Sequence, residues 1–142
     1  MPGRDYFEIA DLQVDASCAY DHMIVDYEHP DVANLSSLMF KITGEEASIL
    51  FCGDVLGFLG MDLLNMYGDQ LDATYVQSGH HGNNVMPVEF YDALEPEVMF
   101  FDGPAWLNES DEYTAKALIE WCQENGIETY EFKTAPKWVG FE

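Results

Sequence analysis

Between residues 47 and 132 the chain alternates short apolar runs with segments whose apolar residues recur at helical spacing. That alternation limits the fold more than any other feature. A strand, a helix and a further strand in sequence specify a crossover and parallel pairing. Ala47–Cys52, Thr74–Gln77, Val98–Phe101 and Ile127–Phe132 read as strands. Between them, Val55–Tyr67 carries Leu56, Leu59, Leu63 and Met66 on one helical stripe and stops at Gly68, a residue suited to the position just past a helix end. Pro87–Leu94 reads as a helix with Pro87 in its first turn. Asp111–Asn125 reads as the best helix, with Ser110 as cap and Gly126 as stop; Tyr113, Ala117, Leu118, Trp121 and Cys122 form its apolar stripe.

Upstream the pattern has period two. In Leu12–Cys18, Leu12, Val14, Ala16 and Cys18 alternate with Gln13, Asp15 and Ser17, the signature of a half-buried strand. Phe7–Ile9 reads as a short strand before it. Leu35–Thr43, with Leu38, Phe40 and Ile42 on one face, turns at Gly44-Glu45-Glu46 into Ala47–Cys52, a hairpin. Ala19–Ala33 reads as an acidic loop holding His22 and His29. The expected order is β-β-β-β-α-β-α-β-α-β. It describes a single α/β domain over residues 1–142, at the α+β boundary, with one mixed sheet and helices on one face. No element is left to cover the other face.

Charge narrows the partners. Five Lys and Arg stand against 27 Asp and Glu, a formal charge of −22. Arg4, Lys41, Lys116, Lys133 and Lys137 are scattered and form no stripe. Direct contact with nucleic acid or an anionic membrane is therefore disfavoured, and cations are favoured; the acidity also serves simple solubility. Apolar residues make up 48% of the chain and aromatics 14%, enough for a core and against intrinsic disorder. No apolar run approaches the ~20 residues of a membrane helix, and no apolar stretch follows Met1-Pro2-Gly3-Arg4-Asp5 as a signal peptide requires. Cys18, Cys52 and Cys122 match neither a disulfide framework nor a zinc knuckle. Cys18 and Cys52 read as buried hydrophobes of a reducing, cytoplasmic protein.

Two segments carry chemistry. In Phe51-Cys52-Gly53-Asp54 an acid stands at the C-terminal end of an apolar strand, where α/β folds place functional groups. Asp54 there either binds a cation or caps the helix that follows. In Ser78-Gly79-His80-His81-Gly82-Asn83-Asn84 two imidazoles sit between glycines directly after a strand. Imidazole is the commonest metal ligand and an acid–base group near neutrality. Adjacent side chains diverge, so one ring can bind metal while the other meets substrate or supports the site.

The series Asn34-Leu35-Ser36-Ser37-Leu38, Ile49-Leu50-Phe51-Cys52-Gly53-Asp54, Ala73-Thr74-Tyr75-Val76-Gln77-Ser78-Gly79-His80-His81-Gly82 and Leu94-Glu95-Pro96-Glu97-Val98 resembles the C-terminal half of a metallo-β-lactamase-fold hydrolase. Within that superfamily it is similar to the branch of competence-type DNA-uptake proteins and choline-phosphate esterases. The resemblance spans residues 5–132. It implies half of an αβ/βα sandwich. Asp54 takes the place of the carboxylate that bridges two metal ions. His80 or His81 takes the place of the last histidine ligand, with His80 the favoured ligand and His81 beside it in a catalytic or supporting role. The metal implied is zinc or another divalent ion, which generates hydroxide for attack on an ester or phosphoester.

The chain departs from that family at its main metal motif, His-x-His-x-Asp-His. No two of His22, His29, His80 and His81 are separated by one residue. The resemblance therefore implies a partial site that holds zinc weakly or not at all alone, and an apolar sheet face awaiting either the missing N-terminal half-domain or a second copy of the chain as a homodimer. Two other readings stand beside it. One is a non-catalytic homodimeric or heteromeric binding module descended from the fold. The other is a small acidic metal-binding protein using Asp54, His80, His81 and loop acids.

Overall fold

The computed structural model describes residues 6–9, 12–18, 28–132 and 136–140. Seven strands form one sheet: β1 (Tyr6–Ile9), β2 (Leu12–Cys18), β3 (Leu38–Thr43), β4 (Ser48–Phe51), β5 (Tyr75–Gln77), β6 (Val98–Phe101) and β7 (Glu128–Glu131). Their spatial order is their chain order. Pairing is antiparallel from β1 through β4 and parallel from β4 through β7. The β3–β4 hairpin pairs Thr43 with Ser48 and Phe40 with Phe51. The chain is thus an α/β protein with a mixed sheet, the class its strand–helix alternation indicates.

Among the described residues, five α-helices accompany the strands: α1 (Val32–Leu35), α2 (Gly60–Tyr67), α3 (Val88–Ala93), α4 (Ala105–Asn108) and α5 (Ala115–Glu124). Leu63 and Tyr67 of α2, Phe90 and Tyr91 of α3, and Leu118, Ile119 and Cys122 of α5 share one core with Leu50, Val76, Met99 and Phe101 of the parallel strands. The alternation of strand side chains explains this choice. Leu50, Val76 and Met99 are register neighbours, so they point to one face, and the crossover helices lie over it. Both described thiols, Cys52 and Cys122, are free and buried in the same core. Burial pushes Cys122 up to about 12, and burial followed by the Asp102 charge raises Cys52 further. The side chain of Cys18 lies outside the described residues.

The other face is aromatic. Ile49, Val98 and Phe100 form a second cluster, flanked by Ile42, Phe51, Tyr75, Tyr130 and Val139. Phe40 stacks on Phe51 at 4.6 Å, and Phe132 stacks on Phe100 at 5.6 Å. Lys137 lies 4.1 Å over the Tyr130 ring. Among the described residues, no helix contributes to this cluster. A cavity of about 240 Å³ opens there between Ile49, Phe51, Gln77, Phe100, Asp102 and Val139. Among the described residues, no helix is long and apolar enough to cross a membrane.

Several boundaries differ from the sequence expectation. The helix expected at Asp111 begins at Ala115. Ser110 spends its hydroxyl on the Glu112 amide, closing a turn rather than capping a helix. Thr114, at the actual start, accepts from the Val85 amide at 2.8 Å and so ties the helix to the loop before α3. Its buried stripe is Ala115, Leu118, Ile119 and Cys122; Ala117 is exposed. Residues 57–59 form a 3₁₀ turn before α2 proper. Leu35 ends α1 instead of opening β3, and α4 stands where no helix was expected. On β3 it is Met39 that enters the helix-covered core, while Leu38 is exposed. His22 lies outside the described residues. His29 accepts from the Asp31 amide at 3.0 Å and sits beside Phe58.

Candidate active site

Three parallel strands deliver three loops to one end of the sheet. After β4 the chain passes Cys52 and Gly53 to Asp54; after β5 it runs through Ser78 and Gly79 to His80 and His81; after β6 it reaches Asp102 and Gly103. Carboxyl ends of parallel strands are where such sheets hold ligands.

The histidine loop is strained. His80 (φ 47°) and His81 (φ 52°) are consecutive non-glycine residues in the left-handed region, each costing on the order of 1 kcal/mol or more. Contacts from distant segments hold them there. The His80 amide donates to the Gly53 carbonyl at 2.8 Å, and the Asn83 amide donates back to His80 at 2.8 Å. The Gly79 amide donates to the Tyr91 hydroxyl at 3.0 Å. Tyr91 is fully buried, and burial raises its phenol well above the ordinary range, so it is neutral there. Gly53 itself has φ 57°, and a Cβ on it would stand 2.9 Å from the Leu38 carbonyl oxygen; only glycine suits both conditions.

Tyr91→Phe keeps the core volume and removes the acceptor for the Gly79 amide. It is expected to cost about 1–3 kcal/mol, read as a lower midpoint in urea, and to speed hydrogen exchange of the Gly79 amide. Unchanged exchange at Gly79 would contradict a role for this bond in holding the loop.

The strain turns the two rings apart. His81 Nε2 lies 3.1 Å from Asp54 Oδ1, and His81 Nδ1 lies 3.0 Å from Asp102 Oδ2. Gln77 Nε2 donates to the same Asp102 oxygen at 2.8 Å. The His80 ring instead meets Asn34 of α1, with Nε2 and Nδ2 3.3 Å apart. Its Nδ1 is buried without a hydrogen-bond partner among the described residues, as are Ser78 Oγ and Asp102 Oδ1. The structure thus brings Asp54 and His81 together, and directs His80, the ligand favoured from sequence, elsewhere.

Asp102 was missed in the sequence. The signal for it was the same one that marks Asp54, an acid beside a glycine at the end of a buried apolar strand. Gly103 makes room for the assembly: a Cβ there would stand 2.2 Å from the His81 carbonyl oxygen.

Asp54 and His81 have the spacing of two ligands on one tetrahedral zinc, whose donors at ~2.0–2.1 Å lie roughly 3.3 Å apart. The number of donors falls short. Among the described residues no group of three His, Cys, Asp or Glu is placed to hold a metal ion, and zinc takes four ligands in structural sites and three in catalytic ones. The described donors are therefore fewer than a zinc site requires. No protein-family model matches the sequence, and no curated protein matches it significantly.

Proposed function

We propose that the chain is the C-terminal half of a metallo-β-lactamase-type hydrolase, acting on an ester or phosphoester, in which Asp54 and His81 are this half's metal ligands. The observation that supports the reading most is their convergence. They leave different strand ends, lie 27 residues apart in sequence (81 − 54), and meet at 3.1 Å at a loop in which two consecutive residues hold left-handed backbone. Strain of that kind persists where the surroundings over-determine it, and such places are commonly functional. The remaining donors belong to the N-terminal half-domain of that fold, and this half alone is inactive. His80, bonded to Asn34, supports the loop rather than the metal.

Zinc titrated into the isolated chain by calorimetry tests this. A single weak site is expected. It should disappear in Asp54→Ala and in His81→Ala and persist in His80→Ala. Absence of zinc binding, or binding that survives loss of both Asp54 and His81, would defeat the reading.

The aromatic second face supports a different reading, a non-catalytic homodimeric or heteromeric binding module of the same fold. The centre of that face, Ile49, Val98 and Phe100, is buried within the chain, whereas Phe132 at its edge is 39% exposed, and exposed apolar surface marks interaction sites. A metal-independent dimer by sedimentation, with no zinc binding, would favour it.

A further inference from the structure

His81 stands between two carboxylates, and a neutral imidazole has one N–H to give. The two are not equal. The Asp54 side chain is 39% exposed and that of Asp102 is 25% exposed. Asp102 is also fixed in advance. Gln77, on the neighbouring strand and paired in register with Phe100, donates to the same Oδ2 that faces His81. Its other oxygen is buried. A bond to the less exposed, pre-oriented carboxylate is less screened by water and costs less ordering.

We infer that Asp102 is the positioning residue of the site: it holds His81 as the Nδ1–H tautomer and fixes the plane of its ring. Nε2 is then a bare acceptor, and it faces another acceptor, Asp54 Oδ1, at 3.1 Å. Two such atoms at that separation repel unless positive charge lies between them. A cation bound between them supplies that charge. Asp102 thereby turns the Asp54–His81 contact from a simple ion pair into a receptor for a cation. Histidines that bind metals are oriented in this way by a carboxylate on the far nitrogen. The tautomer rests on geometry alone, whereas its use for a metal rests on the hydrolase reading.

The test is long-range ¹H–¹⁵N spectroscopy of the ¹⁵N-labelled, chelator-treated chain at about pH 8.5, above the ordinary imidazole range. His81 is expected to show a protonated Nδ1 and an unprotonated Nε2. Asp102→Ala should move most of the population to the Nε2–H form, and Asp54→Ala should leave the Nδ1–H form in place. A protonated Nε2 in the unaltered chain, or an unchanged tautomer in folded Asp102→Ala, would overturn the inference. If Asp102→Ala does not fold, Gln77→Ala decides. It keeps the carboxylate and frees it, so the Nδ1–H share should fall; an unchanged share overturns the inference. Zinc affinity supplies the separate reading. Asp102→Ala should weaken it by about 10–100-fold. The expected tautomer without zinc binding would retain this inference and remove the hydrolase reading. Zinc held through Asp54 and His81 without that tautomer would do the reverse.

Discussion

Gly103→Ala is expected to unseat His81 and destabilise the fold by about 3 kcal/mol, the upper range for overpacking a well-filled interior. The added methyl group would stand 2.2 Å from the His81 carbonyl oxygen and 3.0 Å from Asn108 Oδ1. The carbonyl belongs to backbone already pinned in the left-handed region, so it has no cheap direction in which to retreat. Asn108 is itself buried, with its amide nitrogen committed to the Gly103 carbonyl and to Glu131 Oε2. Restoring ordinary contact requires a shift of roughly 1 Å, enough to break the 3.1 Å approach of His81 to Asp54. A urea melt and the ring resonances of His81 check this. Wild-type stability with unperturbed His81 resonances would show that the β6 loop does not set the histidine's position.

Phe90→Ala should cost about 3–5 kcal/mol, a large share of the 5–15 kcal/mol typical of a domain. Phe90 is fully buried and packs edge-on against Tyr91 at 5.3 Å. Removing its ring leaves a cavity beside the residue whose hydroxyl holds the Gly79 amide. The loss should therefore extend from the core to the histidine loop. A double-mutant cycle with Tyr91→Phe is expected to show coupling on the order of 0.5 kcal/mol or more. Strict additivity would mean that the core and the loop are independent, and that Tyr91 holds its place without Phe90.

Much of the fold was legible because it depends on local pattern. Val98–Phe101 matches the observed strand at both ends, and the β3–β4 hairpin follows from its turn. The parallel half follows from helices of sufficient length between strands. Where the reading erred, a distant contact competed with a local signal. Ser110 has the chemistry of a cap, yet Thr114 starts α5 because its hydroxyl also receives the Val85 amide. The four-residue α1 and α4 carry too few periodic positions to be seen in sequence.

The sequence by itself marked Asp54 and the His80-His81 pair, since a strand-end acid and a glycine-flanked imidazole pair are local features. It also indicated an apolar second sheet face. The resemblance favoured His80 as the ligand, but the residues alone did not say which ring would turn toward Asp54. Neighbouring side chains on a turn point in different directions, and which direction each takes depends on φ. Here φ is set by Gly53, Tyr91 and Gly103, which lie on three other segments. That the His81 ring, and not the His80 ring, meets Asp54 and Asp102 is therefore a tertiary outcome, set by backbone contacts between strand ends that no local pattern encodes.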